Sequence, residues 1–132
     1  MRRFDISANS LGDDGASFIA SLLTRHNGLW HLDLHANQIG DRGAVAIASA
    51  LKLNTSLLSI DLSANYIGDE GASAIAEAIE TNETLCSLSI RSNDFQDVGL
   101  HALEKAIRGN INITSIEGND RMEEFQNMCS LQ

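Results

Sequence analysis

Asparagine stands at Asn9, Asn37, Asn65 and Asn93, and each is 28 residues from the last. Other columns keep the same step: Leu29, Leu57, Leu85 and Ile113; Leu32, Ile60, Leu88 and Ile116; Gly15, Gly43, Gly71 and Gly99; Asp13, Asp41, Asp69 and Asp97. A strict period of this length marks a supersecondary unit that cannot bury its apolar face alone and must stack on copies of itself. It predicts one solenoid domain over 1–132, with units near 1–28, 29–56, 57–84 and 85–112 and a C-terminal cap over 113–132.

Each unit divides into two periodicities. In Leu29-Trp30-His31-Leu32-Asp33-Leu34 the alternation of Leu32 and Leu34 about Asp33 has the two-residue period of a half-buried strand. After the asparagine comes a turn and then Gly40-Asp41-Arg42-Gly43, where the aspartate is placed to cap the helix that follows it. Ala44, Ile47, Ala48 and Leu51 then fall at i, i+3, i+4 and i+7, one apolar stripe to lay against the strands. The stripe recurs at Ala16, Ile19, Ala20 and Leu23, and at Ala72, Ile75, Ala76 and Ile79. A helix is wider than the roughly 4.8 Å between paired strands, so stacking bends the array with strands inside and helices outside. The fold class expected is an α/β solenoid, a horseshoe segment of about five units with a parallel concave sheet.

The asparagine column is expected to satisfy backbone groups where each strand ends, as scaffold. Asn54, Asn82 and Asn110, with His26 at the equivalent place, are expected to end the helices, since asparagine tolerates the left-handed cap conformation.

Read as LxxLDLxxNxIGDxGAxAIAxALxxN, the unit resembles leucine-rich repeats of the ribonuclease-inhibitor type over nearly the whole chain. The resemblance implies intracellular protein binding, in inhibitors, immune receptors, GTPase activators and pathogen effectors, with no shared chemistry.

The period fails at both ends. In the fifth unit Gly118 and Arg121 replace the expected aliphatic residue and asparagine, and Met122, Phe125, Met128 and Cys129 follow at helical spacing, as in a terminal cap. Phe4 and Ile6 belong to the first strand, which leaves no comparable N-terminal cap. Arg2 and Arg3 blunt that open edge, or the chain is a piece of a longer array, or two chains pair there.

A net charge of -9 with only nine Lys and Arg disfavours nucleic acid as a partner and suits a basic protein. No stretch reads as a signal peptide or membrane span. Cys86 and Cys129 lack metal or redox spacing, and no cofactor is expected. These features predict a cytoplasmic protein.

Residues beside the core positions project onto the concave face in rows: Arg3, Asp5 and Ser7; His31, Asp33 and His35; Ser59, Asp61 and Ser63; Ser87, Ser89 and Arg91; Ser115, Glu117 and Asn119. Trp30, Leu58, Tyr66 and Cys86 fall towards the margins. The middle column of Asp5, Asp33, Asp61, Ser89 and Glu117 sets like charges on neighbouring strands, which a cationic partner would relieve. The competing reading is that these aspartates hydrogen-bond side chains across the sheet. Trp30 offers an interface anchor or folds over its own loop. His31, Asp33 and His35 could share a metal only through favourable rotamers, because alternate strand residues are roughly 7 Å apart.

The expected partner-binding set is Trp30, His31, Asp33, His35, Ser59, Asp61, Ser63, Tyr66, Ser89 and Arg91. No matched set of groups for catalysis is present. GTPase activation through an arginine would turn to Arg42 or Arg91, neither of which has a surrounding motif. A protein-binding module is the expected function, and a structural segment of a larger sensor or effector is the alternative.

Overall fold

The computed structural model describes residues 2–25, 28–110, 112, 113 and 115–117. The expected cap residues Met122, Phe125, Met128 and Cys129, with Gly118, Asn119, Arg121 and His26, lie outside the described residues.

Strands and helices alternate: β1 (Arg3–Asp5), α1 (Gly12–Arg25), β2 (His31–Asp33), α2 (Asp41–Leu53), β3 (Ser59–Asp61), α3 (Asp69–Thr81), β4 (Ser87–Ser89), α4 (Asp97–Gly109) and β5 (Ser115–Glu117). The strands form one parallel sheet in chain order. Every pair is offset by one period, as in Phe4↔Leu32↔Ile60↔Leu88. Parallel neighbours need a crossover, and each helix supplies one, α1 packing on α2, α2 on α3 and α3 on α4. This is the expected α/β solenoid.

The core lies between sheet and helices. Leu32, Leu34, Ile39, Ile47, Leu51 and Leu57 of the second unit and the start of the third are buried, as are their equivalents Ile60, Leu62, Ile67, Ile75, Ile79 and Leu85. Burial of each such side chain contributes roughly 1.5–3 kcal/mol. The predicted helix stripes are buried throughout.

Two side-chain ladders stitch the units. Asn37 Oδ1 accepts from the Asn9 N–H at 2.8 Å, while Asn37 Nδ2 donates to the Ile6 carbonyl at 2.9 Å. Asn65 accepts from the Asn37 and Ile39 N–H groups and donates to the Leu34 carbonyl. Asn93 accepts from the Ile67 N–H and donates to the Leu62 carbonyl. Each asparagine thus reaches into the unit before it.

The second ladder runs along the helix ends, where Asn54 Nδ2 donates to the Leu23 carbonyl at 3.0 Å and Asn82 Nδ2 to the Leu51 carbonyl at 2.7 Å. These residues end the helices, but not in the left-handed conformation expected of them. Asn54 and Asn82 have φ near -77° and -76° with extended ψ, and they bridge to the preceding unit. A residue in αL would turn the amide away from that carbonyl.

The aspartate column also departs from expectation. Gly40 and Gly68 occupy the N-cap positions, and the aspartate after each caps a different helix. Asp13 Oδ1 accepts from the Gly40 and Gly43 N–H groups at 2.7 and 2.9 Å, and Asp41 Oδ1 from those of Gly68 and Gly71 at the same distances. Asp69 serves Gln96 and Gly99 likewise. One carboxylate oxygen therefore satisfies two orphan amides of the next unit's helix.

Gly43, Gly71 and Gly99 lie inside helices rather than in turns. A Cβ on Gly71 would stand 2.8 Å from Asp41 Oδ1 and 2.9 Å from the Ala44 Cβ, so the stapled approach of helix to helix leaves no room for one.

Candidate interaction surface

The side chains between core positions emerge on the strand face, opposite the helices. Arg3 and Asp5 are exposed there, and His31, Asp33, Ser59, Asp61, Ser87 and Ser89 are half-buried. A shallow concavity of about 200 Å³ is lined by Arg3, His31, Asp33, Ser59, Asp61, Ser87 and Ser89, with Leu32 and Ile60 at its floor. Of the predicted set, His31, Asp33, Ser59, Asp61 and Ser89 meet here. Arg3 and Ser87, which the rows contain but the predicted set does not, complete the wall.

The remaining predicted residues lie outside this concavity. His35, Ser63 and Arg91 follow the strands by two residues. Trp30 precedes β2, is 41% exposed, and carries the Arg2 guanidinium carbon 4.1 Å from its ring centroid. That cation–π contact occupies part of the indole surface. Tyr66 lies in the loop after β3, 60% exposed, with its N–H bonded to the Ile39 carbonyl. Trp30 and Tyr66 thus flank opposite ends of the strands.

Asp5, Asp33 and Asp61 are paired residues on adjacent strands, and the backbone register continues through Ser89 to Glu117. Their hydrogen bonds run along the chain rather than across the sheet. Asp5 Oδ1 accepts from the Ser7 hydroxyl at 2.7 Å and the Ser7 N–H at 3.0 Å. Asp33 accepts from the His35 N–H, and Asp61 from both the N–H and the hydroxyl of Ser63. The Ser7 hydroxyl and N–H hold the Asp5 carboxyl below its ordinary value, and the Arg3 and His35 charges add to this. Because the bonds are local, they fix each carboxylate outward without neutralising its neighbours.

Among the described residues no three His, Cys, Asp or Glu side chains converge as a metal site, the trio of His31 and Asp33 on β2 and His35 beyond it included. Arg42 is engaged by Asp14 at 3.0 Å on the helical side, away from the sheet. No described helix is long and apolar enough to cross a membrane.

The leucine-rich-repeat model matches residues 1–20, 29–48, 53–76 and 81–103, one stretch per unit. The chain belongs to the leucine-rich-repeat family. No curated protein matches the sequence. Among solved structures, this repeat fold is similar to Actin-Binding Site 2 of leiomodin-1, with a TM-score of 0.87 and 19% identity over 99% of this chain and 77% of that one. It is also similar to the tropomodulin C-terminal domain of Caenorhabditis elegans, with a TM-score of 0.84 and 11% identity over 99% of this chain and 81% of that one.

Proposed function

We propose that this repeat domain is a non-catalytic, cytoplasmic protein-binding module whose concave strand face grips a partner through basic side chains. The observation that carries this reading is the row of Asp5, Asp33 and Asp61 on adjacent strands. Like charges directly opposite one another weaken a sheet by roughly 0.2–1 kcal/mol per pair, a cost that a cationic partner removes on binding. Ser59, Ser87 and Ser89 supply hydrogen-bonding groups beside the carboxylates, and His31 adds its ring nitrogens. Trp30, His35, Ser63, Tyr66 and Arg91 form the rim. Long-range attraction between an acidic chain and a basic partner favours fast, salt-sensitive association.

The test is affinity capture with the intact chain beside the Trp30→Ala, Asp33→Ala, Asp61→Ala variant, once circular dichroism has established that both fold. Proteins held by the intact chain and lost by the variant support the concave face. Identical capture by both chains, or none by either, removes it in favour of a structural repeat segment. Purified actin is the first defined partner to titrate, since Actin-Binding Site 2 of leiomodin-1 shares this fold.

A further inference from the structure

The first unit differs from the others on the side that has no described neighbour. Gly43 of α2 abuts the Ala16 Cβ of α1, and Gly71 abuts Ala44, so the glycine flank of each helix faces the unit before it. Helical geometry places Ala46 and Ala50 on that same flank, with Ala74 and Ala78 repeating them in α3 and Ala102 and Ala106 in α4. Ala50, Ala78 and Ala106 are buried in these seams. The equivalent positions of α1 hold Phe18 and Leu22, two bulky apolar side chains where every other helix has alanine. Phe18 is 65% exposed. This flank does not have the small residues that let another helix approach as closely as α2 approaches α1.

Below it lies an apolar cavity of about 300 Å³ lined by Phe4, Ile19, Leu22, Leu23, Leu29 and Leu32. Phe4 and Ile6 are only half-buried, whereas their counterparts Leu32 and Leu34 are buried.

The strand beside this cavity has an unpaired side among the described residues. β1 bonds to β2 through its even-numbered residues: the Arg2 carbonyl accepts from the Trp30 and His31 N–H groups, and the Ile6 N–H donates to the Asp33 carbonyl. In a parallel ladder alternate residues face opposite neighbours, so the N–H and C=O of Arg3 and Asp5 point away from β2. An antiparallel copy of β1 can exchange bonds with those groups in three registers. Pairing Arg3 with Arg3, or Asp5 with Asp5, opposes like charges. Pairing Arg3 with Asp5 opposes unlike charges twice over and sets Phe4 against Phe4 on the core side. The segment Arg3-Phe4-Asp5 is complementary to itself, as an isologous two-fold interface requires.

We propose that two copies of this chain associate through antiparallel pairing of their β1 strands about a two-fold axis at Phe4, Arg3 of each opposite Asp5 of the other. Phe18 and Leu22 of the two α1 helices cover the adjoining apolar openings. The two sheets then continue into one, and the strand faces of both copies remain available.

The mass of the full chain is measured by sedimentation from low to high micromolar concentration, for the natural sequence, Arg3→Asp, Asp5→Arg and the double exchange. The natural chain is expected to reach twice the mass of one chain. Each single exchange opposes like charges at two symmetry-related places and is expected to weaken the dimer by about tenfold or more. The double exchange restores unlike pairs and is expected to recover it. Phe18→Arg alters an exposed position and so leaves the fold intact by circular dichroism while abolishing the dimer. A folded natural chain that stays monomeric at the highest concentration overturns the proposal. So does a dimer indifferent to Phe18→Arg, or a double exchange no better than the singles, since the register would then be wrong.

Discussion

At the scale of single residues, a few polar atoms hold more of the structure than their number suggests. Asp41 Oδ1 closes two amides of the next unit, Gly68 and Gly71. Asp41→Ala removes both bonds and leaves two partly buried donors without their acceptor, at a cost of about 1–3 kcal/mol. Asp41→Asn keeps an oxygen in place but loses the charge facing a helix N-terminus, and is expected to cost less than half as much. Urea denaturation of the two variants measures the difference; equal losses would mean that charge, not the paired acceptor, does the stapling. The turn after each strand also draws on this scale. Ala8, Ala36, Ala64 and Ser92 sit at φ of 55–57°, a left-handed conformation that costs a residue with a Cβ of order 1 kcal/mol. The adjoining asparagine bonds fix these turns and offset that strain.

At the scale of elements, helix spacing is set by the glycine opposite each aspartate staple. Gly71→Ala would press a methyl group against Asp41 Oδ1 and Ala44 and is expected to destabilise the chain by about 1–3 kcal/mol, read as a lowered urea midpoint. An unchanged midpoint would mean that α2 and α3 can separate freely. Strands, helices and buried stripes were legible in the sequence because every copy of a column meets the same surroundings, so the repeat averages away local ambiguity. The partner of the aspartate was not. Periodicity identifies a column but not which of two neighbouring units its side chain addresses, and Asp41 precedes Gly43 as plausibly as it precedes Gly71. Alanine likewise carries no signal for positive φ, so the strained turns were invisible. On the candidate surface, two-residue alternation placed His31, Asp33, Ser59, Asp61 and Ser89 together. Trp30 and Tyr66 stand beyond the strand ends, where the chain turns and alternation no longer predicts direction.

At the scale of the whole molecule, the stack is one-dimensional: each unit touches only the next, and the stability of a position depends on how many units lie on either side. Leu11, Ile39 and Ile67 test this, since their N–H groups all donate to an asparagine Oδ1 of the following unit, at 3.4, 3.0 and 2.9 Å. In dilute solution the Leu11 amide, in the first described unit, is expected to exchange about tenfold faster or more than those of Ile39 and Ile67. Equal rates would mean that the chain opens only as a single cooperative body.

The direction of the aspartate bond has an evolutionary corollary. At each joint between described helices a carboxylate on one flank meets two amides on the other, so the joint is polar in the sense of a plug and a socket. A tandem duplication of one period inserts a copy already equipped for both of its neighbours. Chains of this kind can thereby lengthen or shorten by whole periods of 28 residues with every such joint intact.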